Sequence, residues 1–260
     1  MKKICVAYFV LFLFISCKPD KTDYREKIKG KWNCQEINYL ILPTEEAFTV
    51  VYGDNGSSFS FGSVYNMENN AGKQWMESSG YTYSLNGETL SVKGTNAKGE
   101  LVDASYSIHR FNGNSMDCRE EHCRINGTEV SANRNYTFYR SGNSGHSRLI
   151  GSWLAKERLS GDSVTDFRFR YDFKEDHEVE MYEKKNGEWV MVTDPVFTYF
   201  LNGDLLSVNK QYAAPSALSY EYEGWIIEEW QSDKMVWRQW IRMPGSQNLW
   251  SRKYELYKSD

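Results

Sequence analysis

The chain has 260 residues, of which 15% are aromatic and 25% charged, with 19 Gly and only five Pro, a profile that excludes a disordered or collagenous polymer and leaves ample material for a core. Its net charge of −4 offers no basic field for a phosphate backbone, so nucleic acid is not an expected partner.

The head of the chain is a targeting segment. Lys2 and Lys3 precede an apolar run that ends at Ser16, well short of the ~20 residues a spanning helix needs. Residues 1–16 therefore read as a signal peptide. Leu13-Phe14-Ile15-Ser16-Cys17 resembles a bacterial lipobox, with Phe14 where that motif usually has Leu. The resemblance implies that Cys17 is acylated and becomes the first residue, anchoring the protein to a membrane surface, where each buried CH2 contributes about 0.8 kcal/mol. Residues 17–27 follow as a polar, charged tether without apolar periodicity. Loss of Lys2 and Lys3 with the signal takes the charge from −4 to −6 (−4 − 2).

The body of the chain is written twice. Tyr81 to Val92 reads YTYSLNGETLSV and Phe197 to Val208 reads FTYFLNGDLLSV, an offset of 116 (197 − 81). Gly30-Lys31-Trp32 returns as Gly151-Ser152-Trp153, and Phe59-Ser60-Phe61 pairs in sequence with Tyr171-Asp172-Phe173. Tyr106 to Arg119 matches Trp225 to Arg238 at an offset of 119 (225 − 106), and the run from Arg134 answers the run from Arg252. Residues 141–148 have the Gly and Ser content of a linker. Two domains follow, 28–140 and 149–260. Within each, alternating apolar runs flank Asn-Gly pairs that suit tight hairpins, and helical periodicity is confined to a turn near LPTEEAF. Six to eight strands in about 110 residues predict an antiparallel barrel or sandwich.

The order G-x-W, central hairpin and closing Arg-bearing strand resembles the lipocalins, in particular lipocalin-like domains of Bacteroidetes lipoproteins. The resemblance covers most of both copies. It implies two tandem lipocalin-like β-barrels in which Trp32 and Trp153 plug one end, with Arg134 and Arg252 lying across their indoles. Two immunoglobulin-like β-sandwiches are the alternative. The same resemblance, with Lys18 after the Cys, implies an outer-membrane lipoprotein facing the periplasm or the cell surface.

Candidate chemistry is sparse. No HExxH, GxSxG, P-loop or GxGxxG occurs, and adjacent Glu228 and Glu229 fall on opposite faces of a strand, so no catalytic residue, metal or cofactor is expected. Glu175, Asp176 and His177 read as a solvated charged turn. With Cys5 lost and Cys17 acylated, Cys34, Cys118 and Cys123 remain. Cys34 can pair with either of the others, whereas Cys118 and Cys123 can pair only if REEH forms a turn. Seven of the nine Trp lie in the second copy, and Trp230, Trp237 and Trp240 are the aromatic candidates for a binding surface. Trp240 points away from the face shared by Met235 and Trp237, either as an exposed ring beside Arg238 and Arg242 or packed against the other domain. Asp162-Ser163-Val164 resembles the Bacteroidetes O-glycosylation motif, which implies a glycan on Ser163. The expected function is noncatalytic binding of a small hydrophobic or glycan ligand, or of a protein partner. A scaffold with filled barrels, or a hydrolase, is the alternative.

Overall fold

The computed structural model describes residues 24–66, 72–96, 98–142, 145–158, 166–212, 219–243, 245–246 and 248–259. The signal segment, Cys17 and Ser163 lie outside the described residues. The elements in chain order are α1 (Arg25–Ile28), β1 (Gly30–Ile37), β2 (Leu40–Ile41), a 3-10 turn (Thr44–Glu46), β3 (Phe48–Tyr52), β4 (Ser57–Asn66), β5 (Gly72–Asn86), β6 (Thr89–Thr95), β7 (Leu101–Phe111), β8 (Ser115–Ile125), β9 (Thr128–Glu129) and β10 (Asn135–Arg140). The second half adds α2 (His146–Leu149), β11 (Gly151–Arg158), β12 (Phe169–Phe173), β13 (Glu178–Lys185), β14 (Glu188–Met191), β15 (Val196–Asn202), β16 (Leu205–Tyr212), β17 (Ser219–Trp230), β18 (Lys234–Arg242) and β19 (Leu249–Lys258).

Both sheets close on themselves. Strands β1, β3, β4, β5, β6, β7, β8 and β10 pair in chain order, and β10 pairs back to β1. Strands β11, β12, β13, β15, β16, β17, β18 and β19 do the same, closed by β19 against β11. The fold is two tandem eight-stranded antiparallel up-and-down barrels, not sandwiches. Closure removes the free edges that an open sheet would expose, and alternation sends every second side chain inward.

The doubled hairpin holds in register. Leu90 pairs with Tyr106 and Val92 with Ala104 in the first barrel, and Leu206 pairs with Trp225 and Val208 with Glu223 in the second. Its turn uses only the glycine in the left-handed region, Gly87 at φ 61° and Gly203 at φ 64°, while Asn86 and Asn202 end their strands. Asn186-Gly187, by contrast, has positive φ at both residues, as an Asn-Gly primed turn requires. The equivalence of Phe59–Phe61 with Tyr171–Phe173 does not survive. Gly30 pairs with Tyr52 and Gly151 with Phe173, so the counterpart of β12 is β3, and Phe59–Phe61 sits one strand later on β4.

One end of each barrel is stopped by an indole under a helical turn. Trp32 and Trp153 are fully buried, and their Nε1 groups donate to Ile28 O (2.6 Å) and Leu149 O (2.8 Å) at the ends of α1 and α2. Ile28, the first residue of the expected first domain, closes α1 and is fully buried, while Arg25, Glu26 and Lys27 of the same turn are exposed. The cation over Trp32 is Arg140, 4.3 Å from the ring centroid, and over Trp153 it is Lys258 at 5.7 Å. Arg134 and Arg252 do not lie there, which corrects the role expected from the lipocalin resemblance. Register is the reason: Trp32 faces Arg140 and Trp153 faces Lys258, and six residues of strand carry Arg134 and Arg252 roughly 20 Å away toward the opposite end. Arg140 also donates through Nη1 to Lys29 O at 2.9 Å, tying β10 to α1.

Among the described residues the barrels touch where β5 runs against β15, β16 and β17 and around the 3-10 turn and the linker. The 3-10 turn leads into Ala47, which packs with Leu205, Ile226, Phe200 and Trp240 on the outer face of the second barrel, and Thr44 Oγ1 accepts from Trp240 N at 2.8 Å. The Asn202–Asp204 hairpin meets the start of the linker: Lys31 Nζ donates to Asn202 Oδ1 (2.6 Å), and Gly142 N donates to Asp204 Oδ2 (2.7 Å).

Replacing either plugging indole by Ala is expected to cost about 3–5 kcal/mol through the cavity it opens. Arg140→Met, which keeps the stem and loses the cation and its carbonyl partner, should cost about 1–2 kcal/mol. Urea unfolding of the three variants checks the order.

Candidate functional site

The two barrel interiors begin from the same positions and end differently. In the first, Phe48, Val50, Leu90, Val92, Tyr106 and Phe138 line about 250 Å³ of free interior, with Cys118 and Tyr52 deeper and Ser58 and Ser60 as polar wall. In the second, about 150 Å³ remains, lined by Phe169, Tyr171, Trp225, Trp237, Tyr254 and the charged trio Lys210, Glu223 and Arg252. The offsets explain the difference. Cys118 becomes Trp237 and Tyr106 becomes Trp225 (both +119), so two indoles fill space that a thiol and a phenol leave open. Ala104 becomes Glu223 (+119) and Gly94 becomes Lys210 (+116), which turns an apolar wall into a charged one.

Burial sets the chemistry of the first cup. It pushes the Tyr106 and Tyr52 phenols far above their ordinary range, Tyr136 to about 12, and the Cys34 thiol to about 12, with Cys118 higher still. None of these groups carries charge near neutral pH, so the cup presents uncharged walls. All three described cysteines, Cys34, Cys118 and Cys123, are free. Cys118 and Cys123 lie on one unbroken strand, β8, and Cys34 is separated from Cys118 by β10. REEH forms no turn. Arg134 sits at the rim of this cup, where hydrogen bonding to Tyr136 raises the guanidinium pKa further. Glu120, buried beside it, accepts from Ala132 N at 2.6 Å and from Tyr136 Oη at 3.3 Å.

The three aromatic candidates are not brought together. Trp237 is 1% exposed inside the second barrel, 5.8 Å from Trp225 between ring centroids. Trp230 is half-buried at the plugged end, with Arg148 of α2 5.0 Å above its ring. Trp240 lies on the outer face, half-buried in the contact with the first barrel, with Arg238 5.2 Å over its ring. Two clefts of about 450 and 430 Å³ flank it between the barrels. His177 is exposed at its turn, its ring 4.7 Å from that of His146, and no group of three or more potential metal ligands occurs among the described residues.

No family model matches the chain, and no curated protein matches it. Among solved structures, it is similar to isotype 1 transferrin binding protein B from serogroup B Neisseria meningitidis, at 8% identity and a TM-score of 0.26, over 82% of this chain and 65% of that one. A protein of unknown function from the DUF3598 family of Nostoc punctiforme is similar at 8% identity and a TM-score of 0.23, over 89% of this chain and 96% of that one. The chain thus spans about two thirds of the length of the first. Likeness at these scores carries no function across, and the cups must be read from their own residues.

A thiol count tests the burial described above. In the chain from Lys18 onward, Ellman's reagent is expected to titrate three thiols in guanidinium and only Cys123 in the native state, since Cys34 and Cys118 are both occluded and held protonated. For the interface, Ala47→Arg forces a long charged side chain against Leu205 and Ile226 and is expected to cost about 1–3 kcal/mol, read as a lowered calorimetric midpoint.

Proposed function

We propose that the protein is a noncatalytic envelope lipoprotein, anchored through Cys17 to the outer membrane, whose first barrel carries a small apolar ligand. One observation carries the reading: the first cup holds about 250 Å³ of uncharged, largely apolar free interior, where the second barrel fills the equivalent space with Trp225 and Trp237. A dry apolar cavity of about 150 Å³ accommodates a benzene-sized ring, so this one suits a fused ring or a short acyl chain. Ser58 and Ser60 supply the few polar groups by which such a site fixes orientation. Binding would be driven by apolar burial, at about 25 cal/mol per Å² removed from water, and not by ion pairing.

Both barrels lie after residue 23, so the chain from Lys18 onward contains both of them. Titrated with 1-anilinonaphthalene-8-sulfonate and with medium-chain fatty alcohols as competitors, it is expected to show dye emission that the alcohols quench. Cys118→Trp, which gives the first barrel the filling residue of the second, should weaken uptake at least ten-fold, and Val92→Phe should do so independently. Dye binding that survives both substitutions would place the apolar site elsewhere and defeat the reading.

A further inference from the structure

The second barrel retains a cup of a different chemistry. Its floor is aromatic: the Trp225 and Trp237 rings lie 5.8 Å apart, Tyr254 is 5.4 Å from Trp225, and Tyr171 is 5.5 Å from Trp237. Its wall is ionic, with two cations sharing one carboxylate. Glu223 Oε1 accepts from Lys210 Nζ at 2.7 Å and lies 3.8 Å from Arg252 Nη1, and Arg252 Nη2 donates to Tyr254 Oη at 2.7 Å. Arg252 also spans the indole of Trp225, 5.5 Å from its centroid.

Two buried polar atoms on this face have no partner. Trp237 lines the cup and is 1% exposed, yet its Nε1 donor is unpaired. Gln239 is 8% exposed, stands two residues farther along β18 opposite Arg252, and lines the outer cleft where Glu223 and Arg252 border both spaces; its Oε1 acceptor is unpaired as well. An unmade hydrogen bond on a buried group costs about 1–3 kcal/mol, and these two lie at the cup and its mouth. The equivalent of Gln239 in the first barrel, Glu120, has its partners. At this position the unpaired acceptor is specific to the second barrel.

We propose that this cup binds a neutral polyhydroxylated molecule, a single sugar ring entering from the mouth. The charge pattern selects the class. Both cations already have partners, Lys210 in Glu223 and Arg252 in Tyr254 Oη and Glu223, and a cationic ligand would face the net positive charge of the trio. A sugar hydroxyl both donates and accepts, so one hydroxyl can take the Trp237 N–H in the cup and a more distant one can give to Gln239 Oε1 at its mouth, with the Lys210, Glu223 and Arg252 groups between them. The C–H face of a pyranose packs on indole in the way an apolar surface does. Glu223 and Arg252 also border the outer cleft of about 450 Å³ that holds Trp240, Tyr222 and Gln239, which gives the rest of a longer glycan a path out of the mouth. This site does not depend on the apolar cup of the first barrel.

Saturation-transfer difference NMR of the chain from Lys18 onward, with the methyl glycosides of glucose, galactose, mannose and N-acetylglucosamine, tests it. At least one glycoside is expected to receive saturation on its ring C–H protons. Gln239→Leu and Trp237→Phe should each weaken that glycoside about ten-fold. Gln239→Leu should melt at the same or a higher temperature, because the unpaired acceptor is removed with its shape kept. Cys118→Trp in the first barrel should leave the sugar signal unchanged, which separates this site from the apolar one. Transfer to none of the glycosides, transfer that survives both substitutions, or a Gln239→Leu chain that melts lower or fails to fold would overturn the proposal. The last outcome would show that Oε1 serves the fold.

Discussion

The hydrogen bond from a buried indole to the last carbonyl of a one-turn helix sets the frame of both barrels. A closed sheet of eight strands has two open ends, and each must be filled or left to water. Here Trp32 and Trp153 fill one end, and neither N–H is left unpaired, because Ile28 O and Leu149 O come down to meet them. That bond ties α1 and α2 to β1 and β11 and fixes which residues of those strands face inward. With the inward set of the first strand chosen, strand pairing around the barrel, with its local bulges, constrains the rest, since a slip of one residue would turn apolar side chains outward. The stacked cation then seals the indole from outside, at a position dictated by register.

Duplication has kept this frame and changed what it encloses. The registers around the central hairpin are the same in both copies, Leu90 with Tyr106 and Leu206 with Trp225, so interior positions compare one to one. Four substitutions along those positions, Cys118 against Trp237, Tyr106 against Trp225, Ala104 against Glu223 and Gly94 against Lys210, separate a roomy uncharged cup from a tight one with an ionic wall. Three of the four exchange side chains on the inward face, whereas at Gly94 the backbone of Gly80 and Tyr81 leaves no room for the Cβ that Lys210 carries in the second barrel.

The repeat, the hairpins and the all-β class were legible because they depend on local spacing. Alternation and turn glycines act over a few residues, and two copies of one pattern reinforce each other. The 3-10 turn at Thr44–Glu46 was visible in LPTEEAF for the same reason. What stayed hidden depends on where strands meet. Arg134 and Arg252 look like the plug's partners when only their order along the chain is known, whereas the ladder hands that place to Arg140 and Lys258. Phe59–Phe61 resembles Tyr171–Phe173 in letters, but strand pairing places them on different staves of the barrel. Trp230, Trp237 and Trp240 are close in sequence and end up at the plug, in the interior and at the interface. The unpaired atoms of Trp237 and Gln239 had no sequence signal, since an orphaned donor is a property of what surrounds it.

The seam of the first barrel also orders its assembly. Trp32 is capped by Arg140, 108 positions away (140 − 32), and β1 is closed by β10, so the ring cannot shut until nearly all of the first domain has left the ribosome. Contacts of such separation are slow to form because the loop between them must be closed first. The residues that dock the second barrel, Ser141 and Gly142, come immediately after that seam, and Gly203 of the docking hairpin has no room for a Cβ against Ser141. The seam that closes the first copy therefore ends where the contact with the second begins, so closing one barrel places the residues on which the other rests.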